Sequence, residues 1–178
     1  MQYQTLFEER KSVRNFTNQE ISNDDLLKIL KAGQAGPTCV NSRDFEFIVI
    51  KNKDTLKKLS ENNGKSAWML PNANVAIMVC GNLNNAFEKD KDYWIIDNSI
   101  ACQNIMLEAQ ILGIGSVMLG CYPQKYKLDG LIKIMNLPSH IIPLAIIALG
   151  YESKEEMNKP KNVFEENKVH YETFKEIK

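Results

Sequence analysis

The order of elements in this sequence predicts a layered α/β fold. Three observations carry that reading. Helical and strand-like segments alternate as α-β-α-β-α-β-α-β, residues 74–80 are apolar almost without a break, and residues 93–112 form one long helical stretch charged only at Asp97 and Glu108. The direction of the strands is not readable from that order.

Each element has a local reason. In residues 24–35, Leu26, Leu27, Ile29, Leu30 and Ala32 fall on one side of a helix. Ser22 is placed to cap it, Asp25 lies three residues on near the positive helix end, and Gly36-Pro37 stops it. Residues 45–50 are rich in β-branched and aromatic side chains and read as a strand. Residues 54–62 make a short polar helix. The run 74–80 reads as a strand buried on both faces. The stretch 93–112 spans about five turns, and a helix so apolar belongs at the centre of a core or of an oligomer interface. Gly113-Ile114-Gly115 ends it, followed by a strand at 116–120, a helix at 125–135 and a fourth strand at 143–150. Residues 151–178 are highly charged, with Val163, Phe164, Val169, Tyr171 and Phe174 spaced among the charges. Such a tail cannot build a core alone and reads as a strap across another surface, such as a partner subunit. The chain as a whole fits one domain over 1–178, with 151–178 as that strap.

Composition narrows the function. The 178 residues are 44% hydrophobic and 25% charged, and 22 Lys+Arg balance 22 Asp+Glu. A zero net charge argues against nucleic-acid binding, which normally shows a basic excess. The first residues lack the basic-then-apolar order of a signal peptide, and the longest apolar run, 141–149, is interrupted by Pro143 and far too short to span a bilayer. A cytoplasmic protein is expected, with no membrane partner. Cys39, Cys80, Cys102 and Cys121 are scattered without metal-ligand or redox-motif spacing, so reduced thiols are expected. His140 and His170 are the only histidines, which argues against a His-based metal site.

Three segments carry candidate chemistry. In Arg10-Lys11-Ser12-Val13-Arg14-Asn15-Phe16, three cations and a hydroxyl suit phosphate oxygens, while Val13 and Phe16 would anchor the segment. Its plain reading is a solvated basic helix end. The stretch from Gly36 through Phe45 is a polar loop between helix and strand, where Thr38, Asn41 and Ser42 can bond the edge of a planar heterocycle; its plain reading is a connection. Residues 112–121 hold Gly113, Gly115 and Gly120, which let backbone approach a ligand. They are not a dinucleotide fingerprint, because the helix precedes the glycines; their plain reading is a helix stop.

Taken together, in this order and spacing, the segments resemble the FMN-dependent nitroreductase family. Residues 10–16 look like that family's N-terminal phosphate motif, 37–45 like its helix-to-strand loop, 97–120 like its central helix, glycine turn and following strand, and Val169-His170-Tyr171 like its tail. The resemblance implies an α+β fold, an α/β/α sandwich with a central, mostly antiparallel sheet and a long buried central helix. It implies an obligate homodimer with FMN at the subunit interface. Arg10, Ser12 and Arg14, with Lys11 adjacent, would hold the phosphate; Pro37, Thr38, Cys39 and Asn41 would approach from the other subunit. Gly120 and Cys121 would lie against the ring, and Ser66 near its polar edge.

There are departures from the family pattern. The loop there usually reads Asn-x-Gln-Pro-Trp, whereas Arg43, Asp44 and Phe45 fill the last three places here. These side chains are expected to point into the cleft, on a loop left looser without proline; alternatively, Arg43 and Asp44 pair on the surface. The family often carries a phosphate-binding Arg near the tail. Val163 stands there in this chain, leaving Lys159 or Lys161 as substitutes.

The implied activity is hydride transfer from NAD(P)H through the flavin to a nitroaromatic, a quinone or a similar acceptor in one shared cleft, hence ping-pong kinetics. No side chain is assigned as general acid or base, and Cys39 and Cys121 read as small packing residues. The alternatives are a flavin carrier or sensor without turnover, and a specialised dehalogenase or flavin-cleaving enzyme. The latter normally needs extra covering segments, and the intervals 52–74 and 82–93 are short.

Overall fold

The computed structural model describes residues 3–153, 164–174 and 176. Among them the order is α1 (Tyr3–Glu9), α2 (Asn23–Gln34), β1 (Phe45–Ile50), α3 (Lys53–Asn63), β2 (Val75–Asn82), α4 (Tyr93–Ile111), β3 (Gly115–Gly120), α5 (Lys125–Met135) and β4 (Ile141–Gly150), with single turns of 3-10 helix between them. The strands form one sheet in the order β1-β2-β4-β3, and every neighbouring pair is antiparallel. The alternating elements therefore make an α+β sandwich.

β2 explains why both faces of the sheet are covered. Its residues alternate in direction, as any strand does. Ile77 and Val79 join Ile29 of α2 and Ile105 of α4 on one face, while Met78 and Cys80 join Leu56 and Leu59 of α3 and Leu131 of α5 on the other. A strand with a helix layer on each side must be apolar throughout, which is the unbroken run seen in the sequence. Each fully buried aliphatic side chain contributes roughly 1.5–3 kcal/mol by leaving water.

The helix ends are set locally. Ser22 Oγ accepts from the Asp25 N–H at 3.0 Å and starts α2. Asn52 does the same for Thr55 at 2.9 Å at the start of α3. Gly113, at φ +71, provides the left-handed residue after α4.

Three differences from the sequence reading matter for the site. A short helix, α1, precedes the basic segment; it carries no acidic residue in its first turn to mark it in the sequence. Residues 10–16 are not a helix end. The chain runs extended there, the Val13 N–H donating to Ser116 O at 2.9 Å while Ser12 bridges Ser116 and Phe16 bridges Glu152. Finally, β4 begins at Ile141, ahead of Pro143. The ladder shifts at that point from Cys80↔Pro143 to Val79↔Ala145, so Leu144 is the extra residue of a bulge, where a proline without an N–H is tolerated. The Leu144 carbonyl accepts the N–H groups of Cys121 and Tyr122, at 2.9 and 3.1 Å. Among the described residues no helix is long and apolar enough to cross a membrane.

Candidate functional site

β3 lies at the edge of the sheet, bonded to β4 on one side. On the other side the basic segment covers only its beginning. Gly115 makes this possible: a Cβ there would stand 2.7 Å from Val13 Cγ1, so only glycine lets Val13 pack against the strand. Ladder bonding alternates along a strand, so Met118 and Gly120 turn their backbone groups the same way as Ser116, away from β4. From Ser116 to Gly120 the strand runs roughly 13 Å at about 3.3 Å per residue. A Cβ at Gly120 would meet nothing within 4 Å, so the far end of this edge opens onto space.

The cations at the near end differ in their engagement. Lys11 Nζ pairs with Glu152 Oε2 at 2.8 Å, and both groups are largely buried. Arg10 and Arg14 form no ion pair among the described residues, and Arg14 is exposed. Two guanidinium forks without carboxylate partners, beside a hydroxyl, suit a doubly charged phosphate. At the far end a groove of about 200 Å³ is lined by Gln103 and Met106 of α4, Met118 and Gly120 of β3, and Tyr122 and Leu144. Tyr122 packs edge-on against Trp94, 5.0 Å between ring centroids. Lys127 is buried and donates to Gly120 O at 3.2 Å, which fixes the end of the strand. Along this edge the residues fit a ligand with an anionic end and a flat apolar end.

Cys121 departs from the expected contact. Its side chain is fully buried and donates to Leu119 O at 3.6 Å, and burial pushes the thiol up to about 12. With its N–H on Leu144 O as well, Cys121 secures the turn after β3 rather than offering a side chain to the groove.

The polar loop sits elsewhere. Cys39–Asn41 form one 3-10 turn, and Val40, Asn41 and Arg43 all have positive φ, at 46°, 58° and 50°. Left-handed conformations in non-glycine residues cost on the order of 1–3 kcal/mol each and persist only when the surroundings impose them. The Cys39 N–H donates to both carboxylate oxygens of Asp97, at 3.0 and 2.9 Å, and Ser42 Oγ donates to Oδ2 at 3.3 Å. Asp97 is itself buried on α4. Burial and the Asp97 charge push the Cys39 thiol up, away from reactivity.

For Arg43-Asp44-Phe45 the structure contradicts the surface pairing of Arg43 with Asp44, and it buries Asp44 and Phe45 instead of turning them into a cleft. Asp44 is fully buried, where Asn98 Nδ2 donates to its Oδ1 at 3.2 Å. Burial, with Asp97 adding, raises its pKa to about 6. Arg43 lies over the Phe45 ring at 5.1 Å instead of pairing with Asp44, and Phe45 is buried and stacked on Phe47. Asp44 thus ties the loop to α4 rather than loosening it.

α4 separates the two sites. At about 100° per residue, the loop contacts Asp97, Ile100 and Asn104 lie roughly 120° around the helix from Ser99, Gln103 and Met106 of the groove. Between them runs an apolar stripe of Ile96, Ile100, Leu107 and Ile111, of which Ile96 and Ile111 are 55% and 49% exposed. Within one chain, therefore, Thr38, Cys39 and Asn41 are not beside Gly120. Pro37 and Ser66 are exposed, Ser66 on the 3-10 turn after α3. Lys159, Lys161 and Val163 lie outside the described residues. In the tail, Phe164, Tyr171 and Phe174 are 79%, 82% and 76% exposed, although the Phe174 ring meets that of His170 at 4.5 Å.

Sequence reasoning missed the roles of Asp44, Asp97, Asn98 and Lys127. One signal was available: a charge inside an otherwise apolar helix needs a partner.

Comparison with known proteins follows the same lines. A family model described as "Nitroreductase family" matches residues 7–87 and 62–151. A Methanothermobacter thermautotrophicus relative is 36% identical over 92% of this chain and 83% of its own length; it carries the name NADH dehydrogenase/NAD(P)H nitroreductase, given there as provisional. An FMN reductase [NAD(P)H] of Bacillus subtilis is 26% identical over 86% of this chain and 67% of that protein. Among solved structures, an FMN-dependent nitroreductase of Clostridium difficile superposes with a TM-score of 0.85 at 31% identity, covering 95% of this chain and 98% of that one.

Proposed function

The chain belongs to the nitroreductase family, and on that premise we propose that it is an FMN-dependent oxidoreductase that draws hydride from NAD(P)H and reduces a nitroaromatic, a quinone or a comparable small acceptor. The observation that carries this is the β3 edge, with two guanidinium groups that form no ion pair among the described residues at one end and open space over Gly120 at the other.

Arg10, Ser12 and Arg14 hold the phosphate. Lys11 adds its field to the site while paired with Glu152. FMN, when bound, supplies the step between a two-electron donor and acceptors of either one or two electrons. Outward backbone N–H groups of Met118 and Gly120 act as fixed donors beside the ring and favour negative charge there. Met106, Met118 and Leu144 line the groove and exclude water from it.

The cleft is completed by a second copy. Burying the stripe from Ile96 to Ile111 against its equivalent in an isologous dimer brings Thr38, Cys39 and Asn41 of one subunit toward the groove of the other. The whole of 1–178 acts as one FMN-binding domain, with 151–178 crossing the partner, and the dimer works in the cytoplasm with its cysteines reduced. Donor and acceptor occupy the same cleft in turn, which gives ping-pong kinetics.

The visible spectrum of the purified protein tests this. A flavin band bleached by NADH or NADPH and restored by a quinone or a nitroaromatic supports it. Protein that stays colourless after incubation with FMN, or a flavin band that neither nicotinamide bleaches, refutes it.

A further inference from the structure

We propose that Asp97 is a positioning residue: by holding the N–H of Cys39 and the hydroxyl of Ser42, it keeps a strained loop in the shape that presents Thr38, Cys39 and Asn41 to the flavin. This rests on the flavin cleft proposed above. The argument begins with conformation. Val40 is β-branched, 72% exposed and left-handed at φ 46°, so its own side chain gains nothing from packing there. Asn41 and Arg43 are left-handed as well. The backbone preferences of these residues therefore work against this shape.

Three other hydrogen bonds close within the loop: Asn41 N–H to Thr38 O at 3.0 Å, Ser42 N–H to Cys39 O at 2.9 Å and Arg43 N–H to Thr38 Oγ1 at 3.1 Å. They shape the turn but do not tie it to the body of the protein. Asp97 does. Asp97 is 3% exposed, and its carboxylate accepts the same N–H on both oxygens, plus the hydroxyl. An ionised carboxylate only accepts, so all its capacity is available to such donors. It sits on α4, the helix that also carries Gln103 and Met106 of the groove and the stripe between the two sites. The loop is thereby registered to α4, the helix whose stripe makes the proposed subunit contact, and so to the groove it meets across that contact.

The test compares wild type, Asp97→Ala, Asp97→Asn and the double variant Asp97→Ala with Val40→Gly. Glycine takes positive φ without strain, so it restores part of what the clamp provides. The readouts are FMN affinity by fluorescence quenching of the apoprotein, visible circular dichroism of bound flavin, and melting temperature. We expect Asp97→Ala to raise the FMN dissociation constant at least tenfold and to alter the flavin dichroism. Asp97→Asn keeps one acceptor and falls between. Adding Val40→Gly recovers at least threefold in affinity. If Asp97→Ala does not fold, Asp97→Asn, alone and with Val40→Gly, carries the same comparison. Unchanged affinity and dichroism in a folded variant overturn the proposal while leaving the cofactor reading intact. So does an affinity loss that Val40→Gly fails to recover. Wild-type protein that leaves FMN fluorescence unquenched overturns the cofactor reading, and this proposal with it.

Discussion

On the two sides of α4 the molecule treats its polar groups in opposite ways. In the loop from Thr38 to Asp44 most are engaged inside the protein: the Cys39 N–H and Ser42 hydroxyl on Asp97, the Arg43 N–H on Thr38, one Asp44 carboxylate oxygen with Asn98. Along the β3 edge Arg10 and Arg14 have no carboxylate among the described residues, and Gly120 faces open space. The difference teaches how to separate shape from binding. Internal partners hold a strained segment in place, whereas groups that folding leaves without partners are the ones a ligand can satisfy.

The largest test attacks the stripe that separates the two sides. Ile96→Asp together with Ile111→Asp puts charges in the proposed subunit contact, and obligate interfaces are large and hydrophobic. Light scattering should show loss of the dimer, and FMN binding should fall with it. A stable monomer that keeps FMN in either form breaks the idea that one chain supplies only half a cleft.

Next comes the unengaged side. Arg14→Ala removes a charge-assisted contact to phosphate and should weaken FMN binding by about 1.5–3 kcal/mol. Fluorescence titration reads it directly. Unchanged affinity removes Arg14 from the phosphate site.

On the engaged side, Asp44→Asn should stabilise the protein at neutral pH. The folded pKa of about 6 lies above the ordinary carboxylate value of 3.8, so the native state favours the protonated form. Wild type therefore loses stability as pH rises through that window, and the variant does not. The gain should be near zero at pH 4 and reach roughly 2 kcal/mol above pH 7, about 1.4 kcal/mol per pKa unit discounted for relaxation. Melting curves at both pH values check the sign. Equal effects at the two pH values would show that Asp44 does not titrate in this range.

The smallest effect belongs to Arg43. Its contact with the Phe45 ring is exposed, and Arg43→Ala should cost about 0.5–1 kcal/mol with no change in the ratio of kcat/KM for a quinone and a nitroaromatic. A shifted ratio would return this side chain to the acceptor pocket.

Much of this was legible in the sequence, for reasons the structure makes plain. Residues 45–50 and 125–135 were read with the bounds they have, because each is a short patterned run between clear breakers. β4 was read two residues short, since Pro143 normally bars a strand and its bulge depends on β2. α1 was missed because a seven-residue helix has little pattern to show. The basic segment and the glycines stood out as candidates in the sequence, but the close approach of Val13 to Gly115 that brings them together was not visible there. Asp97 and Asn98 meet their loop partners across 58 and 54 positions, a separation that local pattern cannot bridge. The same distance hid the burial of Asp44.

The division of the cleft by α4 has a genetic consequence. In the proposed dimer each cleft takes its phosphate end and groove from one chain and its loop from the other. Consider one allele damaged at Arg14 and another damaged at Asp97. In a dimer of the two, both lesions meet in one cleft, because the chain that lacks Arg14 receives its loop from the chain that lacks Asp97. The second cleft combines an intact Arg14 with an intact loop. Two inactive alleles expressed together should complement each other, and co-expressing them would restore up to half of the clefts in every mixed dimer. A cleft built within one chain allows no such rescue.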